Sequence, residues 1–215
     1  MATRGVGGDT SIDQCSVMQV TVLDFGMGNL RSVAKALEKV GASVDVATEV
    51  DARADALVVP GQGAFGSCVL NLGARMDDVR AWISSGRPYL GICLGLQVLF
   101  DSSEESEEKG AAIFPGDVVR FPPGPKIPHI GWNEVSPRAD ARLFSGIDPG
   151  TRFYFVHSYF PVPSDDGVVA ATSDYEIEFC CAAERDNVMA TQFHPEKSGD
   201  AGLALLSNFV RAARA

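Results

Sequence analysis

Tyr89-Leu90-Gly91-Ile92-Cys93-Leu94-Gly95-Leu96-Gln97 reads as a short apolar strand that runs directly into a cysteine and then into a helical pattern continuing through Phe100. A strand, a glycine-flanked turn and a helix in so few residues form the βα junction of a parallel sheet. Upstream, residues 19–24 (QVTVLD) predict a strand, and Leu30, Val33, Ala34, Leu37 and Val40 follow helical spacing until Gly41 offers a stop. Strands follow at 43–47 and at 56–59, the latter broken by Pro60-Gly61, and a helix is predicted around 77–85. Downstream the alternation is lost: strands are expected at 117–121, 152–156, 168–172, 177–183 and 188–193, some pairing antiparallel, before a final helix over about 200–213. Pro122-Pro123-Gly124-Pro125 is an irregular crossover. The expected architecture is α/β, a mostly parallel central sheet flanked by helices, with additional antiparallel strands in the C-terminal half.

Length is compatible with one domain over residues 18–215, behind a flexible N-terminal tail over 1–17. Hydrophobic residues make up 46% of the 215 and charged residues 21%, a balance that folds. The net charge of −10 lacks the basic field that a phosphate backbone demands, so nucleic acid is not an expected partner. No apolar run reaches the ~18–20 residues that span a bilayer, and residues 1–17 lack the apolar core of a secretory signal. The expected location is the cytoplasm, with no membrane association. Five cysteines (Cys15, Cys68, Cys93, Cys180, Cys181) form no scaffold spacing and are expected as thiols, with Cys180 and Cys181 buried and inert on opposite faces of a strand. With no CxxC pair and three histidines, no metal site is expected. The acidic run 104–108 reads as a solvated loop.

Cys93 between Gly91 and Gly95 has the form of a nucleophile elbow, whose strained turn needs neighbours without Cβ atoms and whose helix N-terminus favours a thiolate. A small buried hydrophobe between packing glycines is the alternative for this segment alone. In Thr191-Gln192-Phe193-His194-Pro195-Glu196, an extended backbone would put His194 and Glu196 on one face, where the carboxylate can orient the imidazole and the imidazole can move the Cys93 proton. Read alone, His-Pro-Glu is also a strand-ending turn with an incidental ion pair.

Residues 91–97 and 192–196 together resemble the class I, or triad, glutamine amidotransferases. Residues 23–33 (LDFGMGNLRSV), 60–65 (PGQGAF), 128–133 (PHIGWN) and 154–159 (YFVHSY) are similar to the glutaminase subunits of imidazole glycerol phosphate synthase within that family. The resemblance runs from about Val20 to the C-terminus. It implies Cys93 as nucleophile, His194 as base and acid, and Glu196 as orienter, with glutamine hydrolysed through a thioester and no cofactor. It implies an oxyanion site from the Leu94 N–H and the Gly61-Gln62-Gly63 loop, where the family usually has a small aliphatic residue in place of Gln62. It places Gln97, Ser158 and Tyr159 on the bound glutamine and Lys197 at the interface with a cyclase subunit of (β/α)8 fold, the partner in a heterodimer that uses the ammonia for histidine biosynthesis. His129 and His157 receive no catalytic role. A related cysteine hydrolase on the same scaffold, or a non-catalytic glutamine-binding module, are the competing readings of the triad residues.

Overall fold

A computed structural model of the protein describes residues 17–214; all but the last residue of the expected tail, and Cys15, lie outside them. Nine strands form one sheet and three short ones a second. The first half alternates β1 (Gln19–Leu23), α1 (Leu30–Lys39), β2 (Ser43–Ala47), β3 (Ala56–Gly61), α2 (Phe65–Leu72), α3 (Arg75–Ser84), β4 (Tyr89–Cys93) and α4 (Leu94–Gln97). β5 (Ser102–Ser103), β6 (Gly116–Arg120), β7 (His129–Pro137), β8 (Thr151–His157), β9 (Tyr159–Pro163), β10 (Val169–Asp174), β11 (Glu178–Arg185) and β12 (Val188–Thr191) follow, and α5 (Gly199–Ala212) closes the chain.

The large sheet runs β2-β1-β3-β4-β12-β11-β10-β7-β8. Its pairings are parallel from β2 to β12 and antiparallel beyond. The late strand β12 is inserted beside β4, which brings the residues after it next to Cys93. Alternation along the central strands divides the core between the two faces. Val58, Leu90, Ile92 and Met189 pack with α1 and α5 through Val33, Leu37, Leu205 and Phe209. Leu57, Val59, Tyr89 and Ala190 pack on the other face with Phe65, Cys68, Val79 and Trp82 from α2 and α3.

Several boundaries differ from the sequence expectation. β3 continues through Pro60 to Gly61 instead of breaking there. The Leu57 N–H bonds the Pro88 carbonyl on the β4 side, so alternation turns the Pro60 nitrogen toward β1, where pairing ends at Val22 with Val58. A proline costs no ladder bond at that position. α4 is a single turn, ending at Gln97 rather than Phe100, so the dipole expected to favour the Cys93 thiolate is that of one turn only. α2, β7 and β9 were not anticipated. Cys180 and Cys181 are neighbours in β11 and both buried. Burial pushes the Cys180 thiol up to about 12 and Cys181 well above the ordinary thiol value, which leaves both inert.

Candidate active site

The turn at Cys93 is built from contacts that exclude side chains. Cys93 has φ 57° and ψ −106°, a left-handed conformation that a non-glycine residue adopts only when its surroundings impose it. A Cβ on Gly95 would stand 1.9 Å from the Val59 carbonyl oxygen, and one on Gly91 2.2 Å from the Gly95 carbonyl oxygen. The Tyr89 hydroxyl donates to that same Gly95 carbonyl at 2.8 Å. These approaches press the start of α4 onto β3 and hold the thiol at the end of β4.

β3 ends as register partner of the elbow, Gly61 facing Cys93, so the Gly61-Gln62-Gly63 segment lies beside the thiol. The β1–α1 loop backs this segment: Gly28 lies against Pro60 and Gly61, and a Cβ on Gly63 would meet the Met27 methyl at 2.8 Å. Gln62, Gly63, Cys93, Leu94, Gln97, Ser158, Tyr159 and Lys197 share the lining of one cleft of about 420 Å3. A hollow of about 700 Å3 near Arg138, Arg142 and Arg211 is larger, but it lies on a different part of the molecule and contains none of the expected site residues.

His194 follows β12, and its Nδ1 lies 2.9 Å from Glu196 Oε1, with both side chains almost fully buried at 2% and 1% exposure. The backbone that achieves this is not extended as expected: Pro195–Lys197 form a 3-10 turn with proline at its first position, where a missing N–H is tolerated. Ser198 fastens the turn, its hydroxyl donating to the His194 carbonyl at 2.7 Å and accepting the Tyr154 N–H at 3.0 Å. His194 Nε2 is buried and makes no well-formed hydrogen bond, as is Glu196 Oε2. Desolvation works to lower the His194 pKa, but interactions with Cys93 and Glu196 outweigh it and raise the group to about 9. The arrangement therefore pairs a thiol with an imidazole that holds a proton readily and is oriented by a carboxylate.

Residues given no role from sequence also enter the site. Glu105 lines the cleft and accepts the Phe65 N–H at 2.6 Å, while Glu104 accepts the Arg120 N–H at 2.8 Å, so the acidic run is not simply a solvated loop. Tyr154 lines the same wall, with the Lys197 ammonium 5.9 Å from its ring centroid. Gln192 is fully buried behind the thiol, its Nε2 3.6 Å from Cys93 Sγ. None of these carries a spacing signal; each acts across the fold.

His129 and His157 are buried packing residues. His129 stacks on Tyr175 with centroids 4.0 Å apart, and its Nδ1 lies 3.1 Å from His157 Nε2. Burial lowers them to about 4 and about 3, so both rings are neutral at ordinary pH. Among the described residues, no group of three or more His, Cys, Asp or Glu side chains is placed to hold a metal ion. Among them also, no helix is long and apolar enough to cross a membrane.

A thiol on a strained βα elbow, facing a histidine delivered by a late-inserted strand, defines a class. The family model of class-I glutamine amidotransferases matches residues 21–213, and the chain belongs to that family. Within it, the chain is 52% identical over 202 residues to imidazole glycerol phosphate synthase subunit HisH of Syntrophotalea carbinolica, covering 88% of this chain and 98% of that one. It is 50% identical over 199 residues to subunit HisH of Methanothermobacter thermautotrophicus, covering 91% and 100%. The fold is shared with solved structures of low identity. PurLQS of Thermotoga maritima has a TM-score of 0.74 at 17% identity, covering 92% of this chain and 99% of that one. A glutamine amidotransferase of the same organism has a TM-score of 0.62 at 19% identity, covering 84% and 77%.

Proposed function

We propose that the chain is the ammonia-producing subunit of a cytoplasmic imidazole glycerol phosphate synthase, hydrolysing glutamine at Cys93 and passing ammonia to a cyclase subunit. The observation that carries the chemistry is the buried His194–Glu196 pair, whose free Nε2 is the proton carrier nearest in role to the thiol. The naming of the relatives as subunit HisH supports the pathway and the need for a partner.

In this mechanism the Cys93 thiolate attacks the side-chain amide carbon, and His194 holds the proton taken from the thiol. The tetrahedral oxyanion is received by the Leu94 N–H and by a backbone N–H of the Gly61-Gln62-Gly63 segment. Collapse breaks the C–N bond, His194 gives its proton to the departing nitrogen, and a γ-glutamyl thioester remains on Cys93. His194 then takes a proton from water as it attacks the thioester; glutamate leaves and the thiol is restored. Glu196 fixes the tautomer with the proton on Nδ1, leaving Nε2 for transfer.

Gln97, Ser158 and Tyr159 would hold the substrate's amino-acid end, and the Glu105 carboxylate in the same cleft suits its ammonium. Lys197, at the rim over Tyr154, is proposed to meet the cyclase. Ammonia released into bulk water at neutral pH is protonated and loses its nucleophilicity, which is the physical reason for a sealed partner.

The test is glutamine hydrolysis by the chain alone, with a cyclase subunit and its nucleotide ligand, and as Cys93→Ala. Low activity alone, a strong rise in the complex and loss in Cys93→Ala are expected. Full turnover without a partner would show that the cyclase does not control glutamine hydrolysis at this site, and ammonia release surviving Cys93→Ala would remove the mechanism.

A further inference from the structure

Gln192 is a fully buried amide that the mechanism above leaves unused. An amide in such a place costs stability unless its groups are partnered, and its partners form a directed chain. Gln97 Nε2 lies 3.0 Å from the Tyr159 carbonyl oxygen and 2.9 Å from Gln192 Oε1. A carbonyl only accepts, so Gln97 must present its NH2 there, and the NH2 in turn obliges Gln192 to present its oxygen to Gln97. The Gln192 NH2 is thereby turned to Cys93 Sγ, at 3.6 Å.

The same carbonyl fixes the two histidines. His157 Nδ1 lies 2.8 Å from the Tyr159 oxygen and must donate, which leaves Nε2 as acceptor for the His129 Nδ1–H at 3.1 Å. His129 Nε2 then accepts from Asn133 Nδ2 at 3.4 Å, and that amide is oriented by donating to the Asp174 carbonyl at 2.7 Å while its oxygen accepts the Glu134 N–H at 2.8 Å. Every member has one workable orientation, and the Tyr159 carbonyl joins the two arms.

Building on the nucleophile reading of Cys93, we infer that Gln192 is a catalytic residue that donates an N–H to the Cys93 sulfur and stabilises the thiolate. Gln97, the Tyr159 carbonyl and the His129–His157 pair act as its positioning residues. An N–H donor gains more from a charged acceptor than from a neutral thiol sulfur, so the bond favours the ionised form. It compensates for the meagre dipole of the single-turn α4. Gln97 spends its NH2 on this chain and keeps Oε1 for the substrate, which reconciles an internal role with its place on the cleft wall.

The test is iodoacetamide alkylation of Cys93 in the full chain without glutamine, read on the Cys93 peptide by mass spectrometry. The rate is compared at about pH 7 and about pH 10, where an ordinary thiol passes from mostly neutral to mostly ionised. The groups facing Cys93 are His194 and, through it, Glu196, together with Cys68 from α2, with Glu105 and Lys197 on the cleft. All are retained in the variants. Gln192→Leu is expected to lower the rate about fivefold near pH 7, the worth of one hydrogen bond, and to match the parent near pH 10. An unchanged rate at neutral pH, or an equal change at both values, overturns the inference. Should Gln192→Leu not fold, Gln97→Met, which frees the Gln192 amide to turn, is expected to show the same neutral-pH loss, and its absence is equally decisive. No step of this assay needs turnover, so its failure is separable from failure of the glutaminase reading, which rests on Cys93→Ala.

Discussion

Gly61 and Cys93 face one another as the last register pair of the β3–β4 ladder, and a Cβ on Gly61 would lie 2.6 Å from the Leu94 Cβ. The loop proposed to supply one oxyanion donor is thus packed against Leu94, the residue proposed to supply the other. Gly61→Ala is predicted to displace Leu94, with a cost of about 1–3 kcal/mol from overpacking. Glutaminase activity of the complex should fall by about 100-fold, the lower end of the loss seen when one oxyanion donor is removed, while the circular dichroism spectrum is kept. Parent-level activity would show that this contact does not position the site.

His194 reaches about 9 because Cys93 and Glu196 outweigh desolvation. Cys93→Ala removes the first of these contributors, so the His194 pKa is predicted to fall clearly below the parent value in an NMR titration of the ring. A titration still near 9 would place the cause elsewhere. The linkage sign follows: a folded-state pKa above the unfolded value of about 6.5 contributes stability present in full below that pH and lost as pH rises toward 9. The parent should therefore lose this contribution over that window, and Cys93→Ala should lose less.

His129 and His157 carry the opposite sign. Their folded-state values of about 4 and about 3 lie below the unfolded value, so their contribution is present above about pH 6.5 and is lost as pH falls toward 4 and 3. Ring nitrogen NMR at about pH 5 is predicted to show both as single neutral tautomers, His157 protonated on Nδ1 and His129 on Nδ1. Either ring titrating near 6.5 would contradict the buried chain.

Much of the first half was legible because a parallel sheet covered on both faces writes itself as apolar strands alternating with amphipathic helices, as β1, α1 and β3 show. α2 escaped because Phe65, Gly66, Cys68 and Leu72 are all buried and leave only a faint polar stripe. β7 escaped because its outer positions include exposed Ile130 and Trp132, which blur the alternation, and because a proline-rich crossover precedes it. α4 was overrun since Val98, Leu99 and Phe100 are apolar for packing, not for helix. In the site, Cys93 announced itself through its glycines. The proximity of His194 and Glu196 was anticipated from their spacing, but a 3-10 turn, not a strand, delivers it. Gln192 stood within the 192–196 segment, but its role was not legible there, because its partners Gln97 and Cys93 are 95 and 99 residues away and only the insertion of β12 beside β4 brings them together.

Cys93 is predicted to carry the glutamyl group during turnover. Acid-quenching the cyclase complex during glutamine hydrolysis and reading the intact mass and peptide map tests it most directly. A γ-glutamyl thioester on the Cys93 peptide, absent in Cys93→Ala, is the predicted result; ammonia release with Cys93 unmodified, or with the adduct on another residue, would contradict it.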